Sequence, residues 1–194
     1  MIFPKNKSVM SQLISGIVHS KEELLQIHHL NQLNLRTNIG VEERNREGFV
    51  SWLYPLDLLE KMHAIAPSII VKDDKKIVGY ALVALREMIG FHRDLQNLFS
   101  HIGSLQYQHR LLSDFSFYCM GQICVDKDYR GQGIVKKLYD EHKSVYDKRF
   151  QMLVTEISTS NHRSIRAHEK IGFKTIYTYR DELDEWNVVV WDWN

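Results

Sequence analysis

The run Gln122-Ile-Cys-Val-Asp-Lys-Asp-Tyr-Arg-Gly-Gln-Gly-Ile-Val-Lys-Lys-Leu138 constrains this chain more than any other. Ile123 and Val125 end an apolar β-forming stretch, and Asp126-Lys-Asp stops it with turn chemistry. Beyond Gly133 the apolar period changes from two to about 3.6. Ile134, Val135, Leu138, Tyr139, Val145 and Tyr146 then share one helix face, and Lys136, Lys137, Asp140, Glu141, Lys143, Asp147 and Lys148 take the other. The run is therefore a strand, a loop and an amphipathic helix laid on a sheet. At the junction, Arg130-Gly131-Gln132-Gly133 lets backbone approach a ligand closely, where first-turn N–H groups have no partner within the helix. Such a junction attracts an anion.

Two common phosphate loops fail at this site. Gly133 is followed by Ile134 and Val135 rather than Lys-Ser/Thr, and Lys136 stands where a dinucleotide fingerprint needs glycine. The remaining pattern, a strand ending Gln-Ile-x-Val and then Arg-Gly-x-Gly-x opening a helix, resembles the acyl-CoA pyrophosphate loop of the GNAT superfamily of N-acetyltransferases. Val135 departs from that pattern, which usually has glycine or alanine there. A second stretch follows in the order the family has it. Val154–Ser158 reads as a strand, Asn161-His-Arg-Ser-Ile-Arg-Ala-His-Glu-Lys-Ile as a short helix, and Gly172-Phe173 as the opening of the next strand. Asn161 suits an N-cap and Gly172 a left-handed C-terminal position. The resemblance spans roughly residues 115 to 180.

The resemblance implies a fold and a site. The expected fold is α/β (α+β), a mixed, mainly antiparallel sheet flanked by helices on both faces, over a single domain of residues 1–194. Acetyl-CoA or CoA is the implied co-substrate, its pantetheine lying between two parted strands. The backbone of Ile123, Cys124 and Val125 would meet that arm, and the 130–135 loop (Arg130, Gly131, Gln132, Gly133, Ile134, Val135) the diphosphate, with Asn161 and Ser164 also binding the cofactor. His168 stands where the family often has a tyrosine that protonates the leaving thiolate. It is read as an acid on the inward face of its helix, against the alternative of a packed histidine bonded to a backbone carbonyl. Glu156, on the preceding strand, is read as a general base, against a surface or ion-pairing role. The implied reaction is direct acyl transfer to a primary amine of a small molecule or peptide. The alternative is a regulatory CoA-binding module without catalysis.

Composition narrows the partners. A formal charge of +1 over 194 residues leaves no footprint for nucleic acid. No run of 18 apolar residues suits a membrane span, and the first residues lack a signal-peptide core, so a cytoplasmic protein is expected. A homodimer is left open. The histidines are too scattered for a metal site. Cys119 and Cys124, five apart on one expected strand, are read as buried thiols facing opposite sides.

The remaining elements follow from local patterns. Residues 1–10 read as a loose leader and Gln12–Val18 as an edge strand. Ser20-Lys-Glu-Glu23 is a capping box opening a helix over about 21–35. Residues 38–46 read as a polar loop, and Pro55 opens a helix to Ala64. Ser68–Val71 and Ile77–Leu85 form a hairpin. Between Met88 and Ser113 a short helix stopping at Gly103 is expected within an insertion suited to a substrate-specific lid. Phe115–Val125 is the central strand, and Phe173–Tyr179 and Trp186–Trp193 are the last two.

Overall fold

Ser20 opens the first helix as its sequence predicts: its hydroxyl accepts from the Glu23 N–H while the Glu23 carboxylate accepts from the Ser20 N–H. The computed structural model describes residues 12–194, so the expected leader at 1–10 lies outside the described residues. In chain order the elements are β1 (Leu13–Ile17), α1 (Lys21–Leu33), α2 (Val41–Glu47), α3 (Leu56–Ile65), β2 (Ile69–Asp73) and β3 (Lys76–Ala84). They continue with α4 (Arg93–Ser104), β4 (Gln106–Tyr107), β5 (Arg110–Leu111), β6 (Phe117–Val125), α5 (Ile134–Tyr146) and β7 (Met152–Ser158). The chain closes with α6 (His162–Ile171), β8 (Lys174–Arg180) and β9 (Glu185–Asp192).

Among the described residues, seven strands form one sheet in the order β1-β2-β3-β6-β7-β9-β8. All neighbours are antiparallel except β6 and β7. Helices cover both faces, and the alternation of strand side chains shows how. Gly79 on β3 faces Ile134 and Leu138 of α5. The next residue, Tyr80, bonds Gln122, whose amide reaches the Trp52 carbonyl, and Asn31 of α1 binds that same carbonyl. Successive strand residues point to opposite sides, so α5 and α1 lie on opposite faces. Ile69, Ile70, Val78, Tyr80, Leu82, Tyr118, Leu138, Tyr139 and Leu153 are buried between them.

Three elements differ from the sequence reading. Residues 41–47 are helical, not loop: Val-Glu-Glu-Arg-Asn-Arg-Glu is rich in good helix formers but carries no apolar stripe to announce itself. Helix α4 runs past Gly103 to Ser104, and the small β4–β5 hairpin follows it. The third difference is a β-bulge. Against β3, Leu82 pairs with Gln122 but Val83 pairs with Met120, leaving Gly121 as the extra residue. Cys119 and Cys124 lie opposite Ala84 and Tyr80. The bulge thus turns both thiols to the same face, correcting the opposite-face expectation. Four residue steps still separate their partners on β3, roughly 13 Å, and both are free and buried. Glycine is required at the bulge because a Cβ on Gly121 would lie 2.5 Å from the Tyr54 hydroxyl.

Candidate active site

The one parallel pairing in the sheet is short. β6 and β7 are in register only over Phe117–Cys119 and Met152–Val154. Beyond it the Thr155 hydroxyl donates to the Met120 carbonyl at 2.8 Å, closing the apex of a fork. Past that point the inner edges of β6 and β7 part, while each strand stays paired on its outer side. Backbone groups on two such edges want an extended partner.

Two cavities meet at this fork. One, of about 460 Å³, is lined by Ile123, Cys124, Val125, Arg130, Gly131, Gly133, Ile134 and Val135, with Asn161, Ser164 and His168 of the α6 start. Its charged lining is Arg46, Arg130, Arg163, Arg166 and Lys170 against the single carboxylate Glu47. The other, of about 520 Å³, is lined by Asp94, Glu156 and Asp181, with no lysine or arginine in its wall. Trp52, Tyr54, Leu98, His101, Tyr179 and Trp186 complete it. Phe49, Val50, Ile123, Asn161, Ser164 and His168 belong to both walls.

The basic cavity has the loop chemistry expected of it. Gly131 and Gly133 sit at φ 81° and 76°, the left-handed region that glycine enters without strain. Gly133 is the N-cap of α5 and offers no side-chain cap. The first backbone bond of the helix start is from the Lys137 N–H to the Gly133 carbonyl, so the N–H groups of Ile134, Val135 and Lys136 have no backbone acceptor among the described residues. Gln132 is not in the cavity wall and donates to the Asp128 carbonyl at 3.3 Å. Cys124 offers backbone only, since burial pushes its thiol up to about 12.

Arg130 is committed to protein. Its guanidinium donates to Asn34 Oδ1 at 2.7 Å, to the Val125 carbonyl at 3.3 Å and to Glu47 at 3.5 Å. Arg163 also pairs with Glu47. The arginines around it hold the Glu47 carboxyl below the usual carboxylate range, against partial burial. Asn161 is likewise structural in part. Its Oδ1 accepts from the Ser164 N–H at 3.2 Å, capping α6, and its amide donates to the Phe49 carbonyl at 3.0 Å. Gly48 passes so close, at φ 81°, that a Cβ there would lie 2.6 Å from Asn161 Oδ1. The segment 47–50 is therefore a strap knitted to the N-terminus of α6.

His168 takes the second of the two roles open to it in the sequence, which corrects the acid assignment. Its Nδ1 lies 2.8 Å from the Ser164 carbonyl, an acceptor only, so the ring proton sits on Nδ1. Nε2 then accepts from the Tyr139 hydroxyl at 2.6 Å. Burial lowers its pKa to about 4, partly offset by the Ser164 carbonyl bond. At neutral pH this imidazole is uncharged and doubly bonded, its one proton held on Nδ1 by the Ser164 carbonyl and its Nε2 occupied by the Tyr139 hydroxyl. His142 is similar, lowered by burial to about 3.

Acid should therefore loosen the fold through these two rings. An unfolded histidine titrates near 6.5, so between about pH 6.5 and 4 the unfolded chain binds more protons than the folded one. The stabilisation is complete above that window and is lost as pH falls through it. His168→Gln should flatten the dependence of the melting temperature on pH between 6.5 and 4.5 by about one proton's worth of linkage. An unchanged slope would show that His168 is already protonated in the fold.

Glu156 sits in the acidic cavity and only 17% of its side chain is exposed. Burial raises its pKa, opposed by hydrogen bonds from His101 and Tyr179. His101 Nδ1 lies 3.1 Å from Glu156 Oε1, and its ring packs edge-on against Tyr179 at 4.2 Å between centroids. Burial and the neighbouring Glu156 push the Tyr179 hydroxyl far up. The sequence reading set His101 aside as one scattered histidine. Only the position of α4 in the expected insertion, with Leu95, Phe99 and Ile102 inward, could have pointed to this site. No group of three or more metal-ligating side chains occurs among the described residues. No helix among them is long and apolar enough to cross a membrane.

Known proteins share a sequence profile and a fold with this chain. The profile described as Acetyltransferase (GNAT) family matches residues 27–173. No curated protein sequence matches the chain. Its structure is similar to that of the ribosomal-protein-S18-alanine N-acetyltransferase from Escherichia coli, with a TM-score of 0.62, 13% identity, and 93% of this chain and 94% of that one covered. It is similar to the NatC complex bound to Gag peptide and CoA (TM-score 0.64, 12% identity, 94% and 99% covered). Arabidopsis thaliana Naa50 in complex with the bisubstrate analogue CoA-Ac-MVNAL gives a TM-score of 0.61 at 15% identity, with 93% and 99% covered.

Proposed function

Because this chain belongs to the acetyltransferase (GNAT) family, we propose that it transfers an acetyl group from acetyl-CoA to a primary amine of a small molecule or peptide, in the cytoplasm, without a covalent enzyme intermediate. One observation carries this reading: the fork between β6 and β7 joins a cavity lined by five cationic side chains to one lined by three carboxylates. The first suits the phosphates of CoA and the second a protonated amine.

The parts divide accordingly. The N–H groups at the start of α5 and the free guanidinium donors of the basic cavity would hold phosphate. The backbone edge of Ile123, Cys124 and Val125 would bond the pantetheine amides as a missing strand would. On the acidic side, an aliphatic amine with a pKa near ~10.4 arrives as ammonium and must lose a proton before its lone pair can attack the thioester carbonyl. Glu156 and its hydrogen-bonded neighbours are the groups in place to receive that proton.

The test is twofold: binding of CoA by calorimetry, and release of free CoA thiol from acetyl-CoA in the presence of a panel of diamines, aminoglycoside-like amines and short peptides with free N-termini. Amine-dependent thiol release is expected. Tight CoA binding with no amine consumed across the panel would favour a binding module, and no CoA binding would end the reading altogether.

A further inference from the structure

The pair His101–Glu156 has the arrangement of an oriented imidazole. Glu156, on β7, is the more buried partner at 17% side-chain exposure, and His101, on α4, is 31% exposed. The contact between them is through Nδ1, at 3.1 Å from Oε1. Tyr179 supports the carboxylate from β8. An ionised carboxylate only accepts hydrogen bonds, so with Glu156 charged the ring proton belongs on Nδ1. The other nitrogen, Nε2, has no protein partner among the described residues, and His101 is part of the cavity wall.

The geometry points to His101 Nε2 as the atom that takes the proton from the acceptor amine, with Glu156 as the positioning residue that holds the ring and its tautomer. The inference rests on the acetyl-transfer reading and reassigns the base within it. The step balances as follows. The ammonium gives one proton to Nε2, and the freed lone pair forms the C–N bond at the thioester carbon. The C–S bond breaks and its electrons leave on sulfur, the second proton lost from nitrogen neutralises the thiolate, and the imidazolium releases its Nε2 proton to solvent. Glu156 stays ionised throughout and stabilises the imidazolium across the 3.1 Å contact.

Other charges bear on this pair. Asp181, after β8, raises the Glu156 pKa through space. Asp94 lines the same cavity from the first turn of α4, seven residues before His101. Tyr177 and Tyr179 face the ring from β8 at 6.1 and 4.2 Å. Cys119 of β6, a buried neutral thiol, senses the Glu156 charge. No lysine or arginine lines the cavity to compete for the carboxylate.

His101→Asn separates the roles, since an asparagine amide copies the Nδ1–H donor to Glu156 but has nothing at Nε2. Expected is a fall in kcat of about 100-fold or more, an unchanged melting temperature, and partial recovery in His101→Ala on adding imidazole. A merely bracing histidine predicts His101→Asn within about threefold of the parent, which would overturn the proposal. Long-range ¹H–¹⁵N spectra of the parent protein give a readout that needs no turnover. A neutral ring carrying its proton on Nε2 overturns the proposal even if the enzyme is active, and a proton on Nδ1 supports it. Parent protein that consumes no amine overturns the acetyl-transfer reading itself, a failure visible before any variant is compared.

Discussion

Glu156→Gln is expected to lower kcat by on the order of 10²–10⁴, the range a positioned base contributes, because a neutral amide no longer stabilises the imidazolium formed when His101 takes the proton, while the melting temperature holds or rises. The two directions have one cause. Burial raises the Glu156 pKa, so the folded state resists its ionisation more than the unfolded state does. A carboxyl raised in this way favours folding at low pH, and that contribution is lost as pH climbs through the raised value. The neutral amide removes this penalty yet can still accept from His101 Nδ1. The Michaelis constant for acetyl-CoA should not move, because Glu156 lines only the acidic cavity. Steady-state kinetics with a thermal melt checks both halves. If the variant keeps kcat within about threefold of the parent and the same pH profile, this carboxylate has no part in the proton path.

Gly133→Val is the variant most damaging to CoA affinity. Nothing lies within 4 Å of a Cβ built on Gly133, so the substitution meets no steric wall. The difficulty is the backbone: φ 76° is left-handed, and a β-branched residue there costs about 1–2 kcal/mol or forces the loop to another conformation. Either way the N–H groups at the start of α5 lose their aim. The dissociation constant for CoA should rise about tenfold or more, about 1.4 kcal/mol being tenfold. Gly133→Asn should lose much less, since asparagine visits the left-handed region more readily. Calorimetry that finds the valine and parent proteins equal in affinity would place the diphosphate elsewhere.

What the sequence made legible was local. The glycine loop, the capping box at Ser20, the Asn161 cap and the Gly172 stop each depend on residues a few positions apart, and each stands where the sequence put it. The strands were legible through their β-branched runs, and the parted strands of the fork through the family resemblance. What escaped was contact across distance. His101 and Glu156 are 55 residues apart and meet only because α4 packs beside β7. The neutrality of His168 depends on Tyr139, 29 residues earlier on α5. The facing of the two cysteines turned on a bulge that no alternation pattern displays. Helix α2 has no apolar stripe, and what it presents to the site is charge, Arg46 and Glu47.

That charge, with the strap behind it, has a thermodynamic consequence. Glu47 is held by Arg130 and Arg163 at the basic cavity, and two residues on, Phe49 and Val50 wall both cavities at once. A phosphate that draws either guanidinium away from Glu47 also bears on the segment that shapes the acidic cavity. Where a ligand in one cavity shifts this shared wall, linkage makes the influence reciprocal: whatever factor one ligand lends to the other's affinity is returned undiminished. A preference for one order of substrate addition can then originate in residues 47–50, a stretch to which no chemistry is assigned.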